Sequence, residues 1–291
     1  MNIIPVSVTR YEQMPGIEGC YKAVSDASHV CYQTETKKDP KVFVDMLMSK
    51  GHTRPLEFGT VYLCVTTTGP IADRDFIRKQ AVIKRYMNNK YSTVMSHSQD
   101  NVHINYYITS NLCVLAQGYA HNIHEACEQQ FSHNWFDDLK YWCEPCAFHD
   151  RRYTYDLVLS RGVMDDLRTH ITLSSLAEST RYCNYEKEKF GSQLTFIQPY
   201  WKPDDILYKQ LINYYQITEK GYLYLIRNGA EPQMAKRVLP LGIKSELMLC
   251  GNLESWENFL WRRCDSHADP EAQKIANLIK EDLYGRRETQ A

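Results

Sequence analysis

The stretch THITLSSLAESTRY, residues 169–182, and its continuation CNYEKEKFG up to residue 191 form the densest polar run of the chain. Within it Ser179, Thr180 and Arg181 stand between a predicted helix and a predicted strand. Two hydroxyls beside a planar guanidinium make a phosphate cradle, because arginine donates paired hydrogen bonds to phosphate oxygens. The same three residues also fit a Ser/Thr turn that carries a surface arginine. Immediately upstream, YTYDLVLS alternates as a strand, and Ser160 caps a short helix in which Met164 and Leu167 share a face.

Outward from this stretch the elements alternate. Asp39-Pro40 followed by VFVDMLMSKG gives an N-cap, a proline at the first helical position and a closing Gly51, so a helix ends just before His52. In TVYLCVTTT, Val61, Leu63 and Val65 alternate as in a half-buried strand, which places HTRPLE on a helix-to-strand connection. Residues 75–150 carry amphipathic stretches, NIHEACEQQF and DDLKYW, but no pattern that fixes their packing. Downstream, QLTFIQP reads as a strand and DDILYKQLINYYQITEKGYLYLIRNG as a long helix begun by Asp204 or Asp205. PQMAKRVLP reads as a short helix, IKSELMLCGN as a strand, ESWENFLWRRC as a helix, and Asp269-Pro270 opens a terminal helix ending near Tyr284. Strands separated by helices, several of them fit for antiparallel pairing, predict an α+β fold with a mixed, largely antiparallel sheet. With no internal repeat and no linker legible, one domain over residues 1–291 is expected.

The chain is 43% hydrophobic and 24% charged with a formal net charge of −1, which is ordinary globular composition and gives no electrostatic support to a nucleic-acid or membrane-surface role. No apolar run approaches the roughly 20 residues of a membrane helix, and the amino terminus lacks the features of a secretory signal. The expected compartment is therefore the cytoplasm, and the ten scattered cysteines are expected to be free thiols.

Three further groups could carry chemistry. Arg262 and Arg263 are consecutive on a helix, about 100° apart, so one can face solvent while the other points inward to an anionic partner, whether a ligand or Asp265 or Glu257. His52 and Glu57 flank a loop, where a hydrogen-bonded structural pair is the simplest reading. Cys143, Cys146 and His149 have a spacing that zinc could use, but nothing supplies an equally clear second half. No metal is expected there, only buried thiols beside a surface histidine.

Taken together, these segments resemble the flavin-dependent thymidylate synthases. The family motif runs Arg-His-Arg-x-x-Ser-x-x-x-x-Ser-x-Arg-Tyr, and residues 169–182 keep His170, Ser174, Ser179, Arg181 and Tyr182. GHTRPLEFGTVYL resembles the family's Gly-His-x-x-x-Leu-Glu-His segment, and RGVMDDLRTH the helix leading into the motif. PQMAKRVLP resembles its Pro-x-x-Ala-Arg-x-Val-Leu-Pro helix, and LWRRCDSHA its Leu-Arg-x-Asp-x-x-Ala segment. About 75–150 would then be a family-variable region. The resemblance implies a homotetramer that binds FAD and methylates C5 of dUMP to dTMP, with methylenetetrahydrofolate as one-carbon donor and NADPH as reductant.

Residue by residue, the resemblance implies dUMP contacts from Glu178, Ser179, Thr180, Arg181, Lys236 and Arg263, and flavin contacts from His52, His170, Asn252 and Asn258. Arg263 would lower the proton affinity of uracil N3, and so matter more to turnover than to folding. The sequence departs from the family on the flavin side: the motif's two arginines are Thr169 and Ile171, another arginine is Glu254, the residue before Glu178 is Ala177, and Phe58 replaces a histidine. Each lost charge-assisted hydrogen bond is worth about 1.5–3 kcal/mol, and Arg54 or Arg168 stands near enough in sequence to compensate. Two alternatives stay open on these departures: an enzyme that modifies C5 of another pyrimidine nucleotide, and a non-catalytic nucleotide-binding protein that has lost FAD.

Overall fold

The computed structural model describes residues 1–33, 38–68, 73–98, 100, 102–117 and 136–285. In chain order the elements are β1 (Asn2–Ile4), β2 (Ser7–Tyr11), α1 (Gly16–Tyr32), α2 (Pro40–Ser49), β3 (Thr60–Thr67), α3 (Arg74–Met87), β4 (Thr93–Ser98), β5 (Ile104–Asn111) and α4 (Leu112–Gln117). They continue with β6 (Arg152–Ser160), α5 (Arg161–Leu167), β7 (Ser174–Ala177), β8 (Thr195–Ile197), α6 (Ile206–Arg227), α7 (Pro232–Ala235), β9 (Lys244–Asn252), α8 (Leu253–Arg263) and α9 (Pro270–Gly285). This is an α+β fold, as expected, but the strands divide among three sheets, ordered β1-β8, β2-β6-β9-β7 and β3-β5-β4. All pairs are antiparallel except β1 with β8.

Local chemistry sets the elements around the motif. Asp39 accepts from the backbone N–H groups of Lys41 and Val42 to start α2, and Gly51, at φ +68°, turns the chain away after it. Ser160 accepts from Val163 N–H to start α5, which buries Val163, Met164 and Leu167. Asp205 caps the long α6 at Leu207 N–H. NIHEACEQQF lies outside the described residues, and DDLKYW forms a 3-10 helix over Asp137–Tyr141.

The expectation that nothing repeats needs correction, because the repeat is in the strand pairing and not in residue identity. β3, α3, β4, β5 and α4 follow the same path as β6, α5, β7, β9 and α8. In both units the third strand lies between the other two and runs antiparallel to each. The register also agrees: Asn111 of β5 faces Thr60 of β3, as Asn252 of β9 faces Arg152 of β6. Two positions before those asparagines, Thr109 pairs with Thr93 and Cys250 with Ser174. Each asparagine then caps the following helix through Oδ1, accepting from Val114 N–H at 3.0 Å and from Ser255 N–H at 3.0 Å. Even the helical core positions match, since Val82, Ile83 and Tyr86 precede Thr93 at the spacing by which Val163, Met164 and Leu167 precede Ser174. The units differ in their insertions: β8, α6 and α7 lie between β7 and β9, where the first unit has a short connection.

Each unit has its own core. The first packs Val61, Leu63 and Val65 against Val82, Ile83, Tyr86 and Ile108, together with α1 and α2 residues. The second packs Tyr155, Leu157 and Leu159 against Trp256, Phe259 and the terminal-helix residues Ile275 and Ile279. Every fully buried aliphatic side chain contributes about 1.5–3 kcal/mol before the entropy of ordering is subtracted. A smaller cluster joins the units, with Ala27 and Val30 of α1, Phe58, Leu176 of β7, and Met248 and Cys250 of β9.

Candidate functional site

The turn after α5 brings His170 and Arg263 together. Arg263 Nε donates to His170 Nε2 at 2.9 Å, while its Nη2 donates to the Asp166 carbonyl at 2.7 Å and to Thr169 Oγ1 at 3.2 Å. Of the two consecutive arginines, Arg263 is therefore the inward one; Arg262 is exposed and stands over the Trp261 ring. Neither Asp265 nor Glu257 answers Arg263, since Asp265 pairs with His267 and Glu257 accepts from Tyr284. Among the described residues no carboxylate forms an ion pair with Arg263. Its charge is met by a neutral imidazole, a carbonyl and a hydroxyl, which leaves room for an anionic ligand.

His170 is buried against Phe259. Burial first, then the charges of Arg263 and Arg262, lower its pKa to about 4. The imidazole is therefore neutral near pH 7 and accepts at Nε2, so its proton sits on Nδ1. Because this network ties α8 to the α5–β7 turn, Arg263 also has a structural role.

Beyond β7 the chain turns at the polar run. Ser179 N–H donates to the Cys31 carbonyl at 3.1 Å, and Arg181 N–H donates to Ser179 Oγ at 3.4 Å. Ser179 and Thr180 are half-buried, while Arg181 is exposed over the Tyr182 ring. Two residues on, Cys183 shares a buried cluster with Ala235, which brings the segment carrying half-buried Lys236 alongside.

Glu178 points the other way. It is buried, with Oε2 2.9 Å from Lys244 Nζ and Oε1 accepting from the Tyr185 hydroxyl at 2.9 Å. Burial pushes the Glu178 carboxyl up against the pull of Lys244. Burial works against the Lys244 ammonium too, but Glu178 and Glu246, both bonded to it, hold its pKa up. Its carboxylate is thus spent inside the protein.

The flavin-side residues are scattered. His52 and Asn258 are exposed, and Asn252 uses Oδ1 to cap α8. Glu254 is exposed in the first turn of α8, where a negative charge complements the helix dipole. His52 and Glu57 are not hydrogen-bonded to each other: Glu57 is buried, and its Oε2 has no partner among the described residues. The thiol cluster also differs from expectation, because His149 is buried while Cys146 is exposed. His149 Nε2 lies 3.2 Å from the Leu63 carbonyl, and Nδ1 accepts from Cys146 N–H at 3.2 Å. Among the described residues no group of three or more His, Cys, Asp or Glu is arranged for a metal, and every described cysteine is a free thiol.

Three cations outside the family motif line the seam between the units. Arg54 Nε donates to the Ser175 carbonyl, and its Nη2 to Ser175 Oγ, both at 3.2 Å. Lys90 Nζ donates to the Ile171 carbonyl at 3.4 Å. Arg152 reaches the Tyr91 and Glu57 carbonyls at 3.0 Å each, yet its Nε is buried without a partner among the described residues, as is Ser174 Oγ. Lys90 and Arg152 escaped the sequence reading, and only the matched spacing of buried residues in 82–93 and 163–174 could have drawn attention to Lys90.

Residues 144–285 match the family described as thymidylate synthase complementing protein. A flavin-dependent thymidylate synthase of Corynebacterium efficiens is 33% identical over 78 residues, 26% of this chain and about a third (31%) of that relative's length. Among solved structures, thymidylate synthase X of Helicobacter pylori with FAD and dUMP is 21% identical, at a TM-score of 0.36 over 46% of this chain and 68% of that one. A second structure of the H. pylori flavin-dependent enzyme, complexed with FAD and dUMP, gives 21% identity and a TM-score of 0.37 over 47% and 70%. No helix among the described residues is long and apolar enough to cross a membrane. Residues 144–285, just under half of the chain, are thus where it is similar to the flavin-dependent thymidylate synthases, and it spans about a third of the length of the curated relative it matches.

Proposed function

We propose that this protein methylates C5 of dUMP to dTMP, using FAD, NADPH and methylenetetrahydrofolate. The observation that carries this reading is Arg263, a half-buried guanidinium with no carboxylate partner among the described residues, locked onto the turn that begins the retained motif. Two of its nitrogens are held by the protein, and Nη1 is left to face a ligand. A guanidinium fixed beside uracil stabilises negative charge that develops on the ring, with no reorganisation during reaction. His170 contributes by position: kept neutral, it accepts from Arg263 and fixes the guanidinium plane. Ser179, Thr180, Arg181 and Lys236 supply hydroxyls and cations for the nucleotide phosphate, with Lys236 acting as a point charge.

The residues fit FAD in altered form. Thr169, Ile171 and Glu254 offer no cation, but Ser174 Oγ is an unused buried donor beside the turn, and Arg54 and Lys90 approach the same backbone. When bound, reduced flavin supplies the hydride that completes the methyl group. His52, Asn252 and Asn258 are the further residues assigned to it.

The expected assembly is a homotetramer in the cytoplasm. Its support is an apolar stripe on α6, where Leu207, Tyr214, Ile217 and Tyr224 recur at helical spacing and are 52%, 56%, 65% and 67% exposed. Light scattering should give a mass near four chains; a stable monomer at micromolar concentration contradicts shared sites.

The activity itself is tested with purified protein. A flavin absorption band, together with dTMP formed from dUMP, methylenetetrahydrofolate and NADPH, is the expected result. Colourless protein that cannot be reconstituted, or turnover of dCMP or UMP but not dUMP, overturns it.

A further inference from the structure

The register shared by the two units allows their turns to be compared position by position. With Thr93 laid on Ser174, Asn89 falls on His170 and Lys90 on Ile171. The first unit thus carries a cation at the turn position where the second carries an isoleucine, whose apolar side chain is 76% exposed. Lys90 does not merely occupy the equivalent place. Its ammonium crosses the seam and hydrogen-bonds the backbone carbonyl of Ile171 itself, at 3.4 Å. From the other side Arg54, in the 3-10 turn before β3, grips the carbonyl and hydroxyl of Ser175. Between these two cations lie residues 171–175, including Ser174, whose buried hydroxyl has no partner among the described residues.

We propose that Lys90 and Arg54, contributed from the first unit's side of the seam, form a diphosphate-binding pair that takes the place of the cations absent at Thr169 and Ile171. The pair has the right chemistry for such a group. An ammonium serves as a compact charge that can serve either phosphate, and a guanidinium can donate in parallel while remaining anchored to Ser175. Both residues are exposed, so a ligand can reach them, and they hydrogen-bond Ile171 in the α5–β7 turn and Ser175 at the start of β7. Cofactor recognition then rests on the contact between the two units as well as on the motif. The assignment of the ligand as FAD rests on the function proposed above; the anion pair itself rests on the seam.

The test uses full-length protein titrated separately with FAD and with ADP, followed by calorimetry. Lys90→Gln and Arg54→Gln should each weaken FAD about tenfold, the effect of one charge-assisted hydrogen bond, and the double variant about a hundredfold. Lys41→Gln, an exposed charge on α2, should leave the affinity unchanged. Adding Ile171→Arg to Lys90→Gln should restore affinity to within about threefold, which loss of a merely structural lysine would not allow. Thermal midpoints should fall only slightly, for the lost hydrogen bonds to Ser175 and Ile171, so that every variant stays folded at the titration temperature. Unchanged FAD affinity in both single variants overturns the proposal and leaves the enzyme reading intact. Binding of ADP that depends on Lys90 and Arg54, with no binding of FAD, upholds the anion pair and overturns the flavin reading. No binding of either ligand overturns both.

Discussion

The two three-stranded units share a path and a register, yet only the second carries the family-like motif of residues 169–182. At the turn after its helix the first has Asn88, Asn89 and Lys90, and the second has Thr169, His170 and Ile171. The second turn is clamped by Arg263 from the end of α8. The lesson is that strand pairing fixes where such a turn sits, and a few polar side chains decide what it does. Backbone geometry is maintained by many weak contacts, so it survives changes that erase chemistry.

The comparison can be broken first at the cores. Trp256 is fully buried and donates from its indole to the Tyr153 carbonyl at 3.0 Å, so Trp256→Ala should cost about 3–5 kcal/mol in urea unfolding. A loss under about 1 kcal/mol would mean that the second unit is not organised around this residue.

The clamp sharpens the contrast through pH. His170 is held near 4, below its ordinary value of 6.5, so its contribution to stability is complete above about 6.5 and is lost as pH falls toward 4. The expected loss is on the order of 2 kcal/mol, and His170→Asn should flatten that part of the profile. A parent and variant with parallel stability profiles from pH 7 to 4 would remove His170 from the account.

Arg263→Ala comes next, with about 1.5 kcal/mol of lost stability and at least tenfold weaker dUMP binding, whereas Arg262→Ala should change both little. Damage from Arg262→Ala instead would shift the clamp by one residue. The smallest effect concerns what the units share: Asn111→Ala and Asn252→Ala should each cost about 1 kcal/mol, since both cap a helix in the same geometry. If only one of them mattered, the equivalence of the units would be weakened.

Much of the fold was legible in the sequence where local signals were strong. Asp39-Pro40, Ser160, Asp205 and Asp269-Pro270 marked helix starts, and the alternation in 60–67 and 153–160 marked β3 and β6. The repeat escaped because its evidence lies in hydrogen-bond register between distant strands, and residues 82–93 and 163–174 share few identities. At the site, helical geometry gave only that one of two consecutive arginines could point inward; that it is Arg263 came from the family resemblance, and its partners were not legible because His170, Asp166 and Thr169 reach it through tertiary packing. For Glu178, the neighbours in sequence are motif residues, while in space its carboxylate meets Lys244 and Tyr185.

The central claim is that the second unit, and not the first, holds the pyrimidine nucleotide. Hydrogen–deuterium exchange of FAD-reconstituted protein with and without dUMP tests it directly. The account predicts nucleotide-dependent protection in residues 168–182 and 253–263 and none in the equivalent strand 93–98; protection of 93–98 alone, or no change in 168–182 at saturating dUMP, would contradict it.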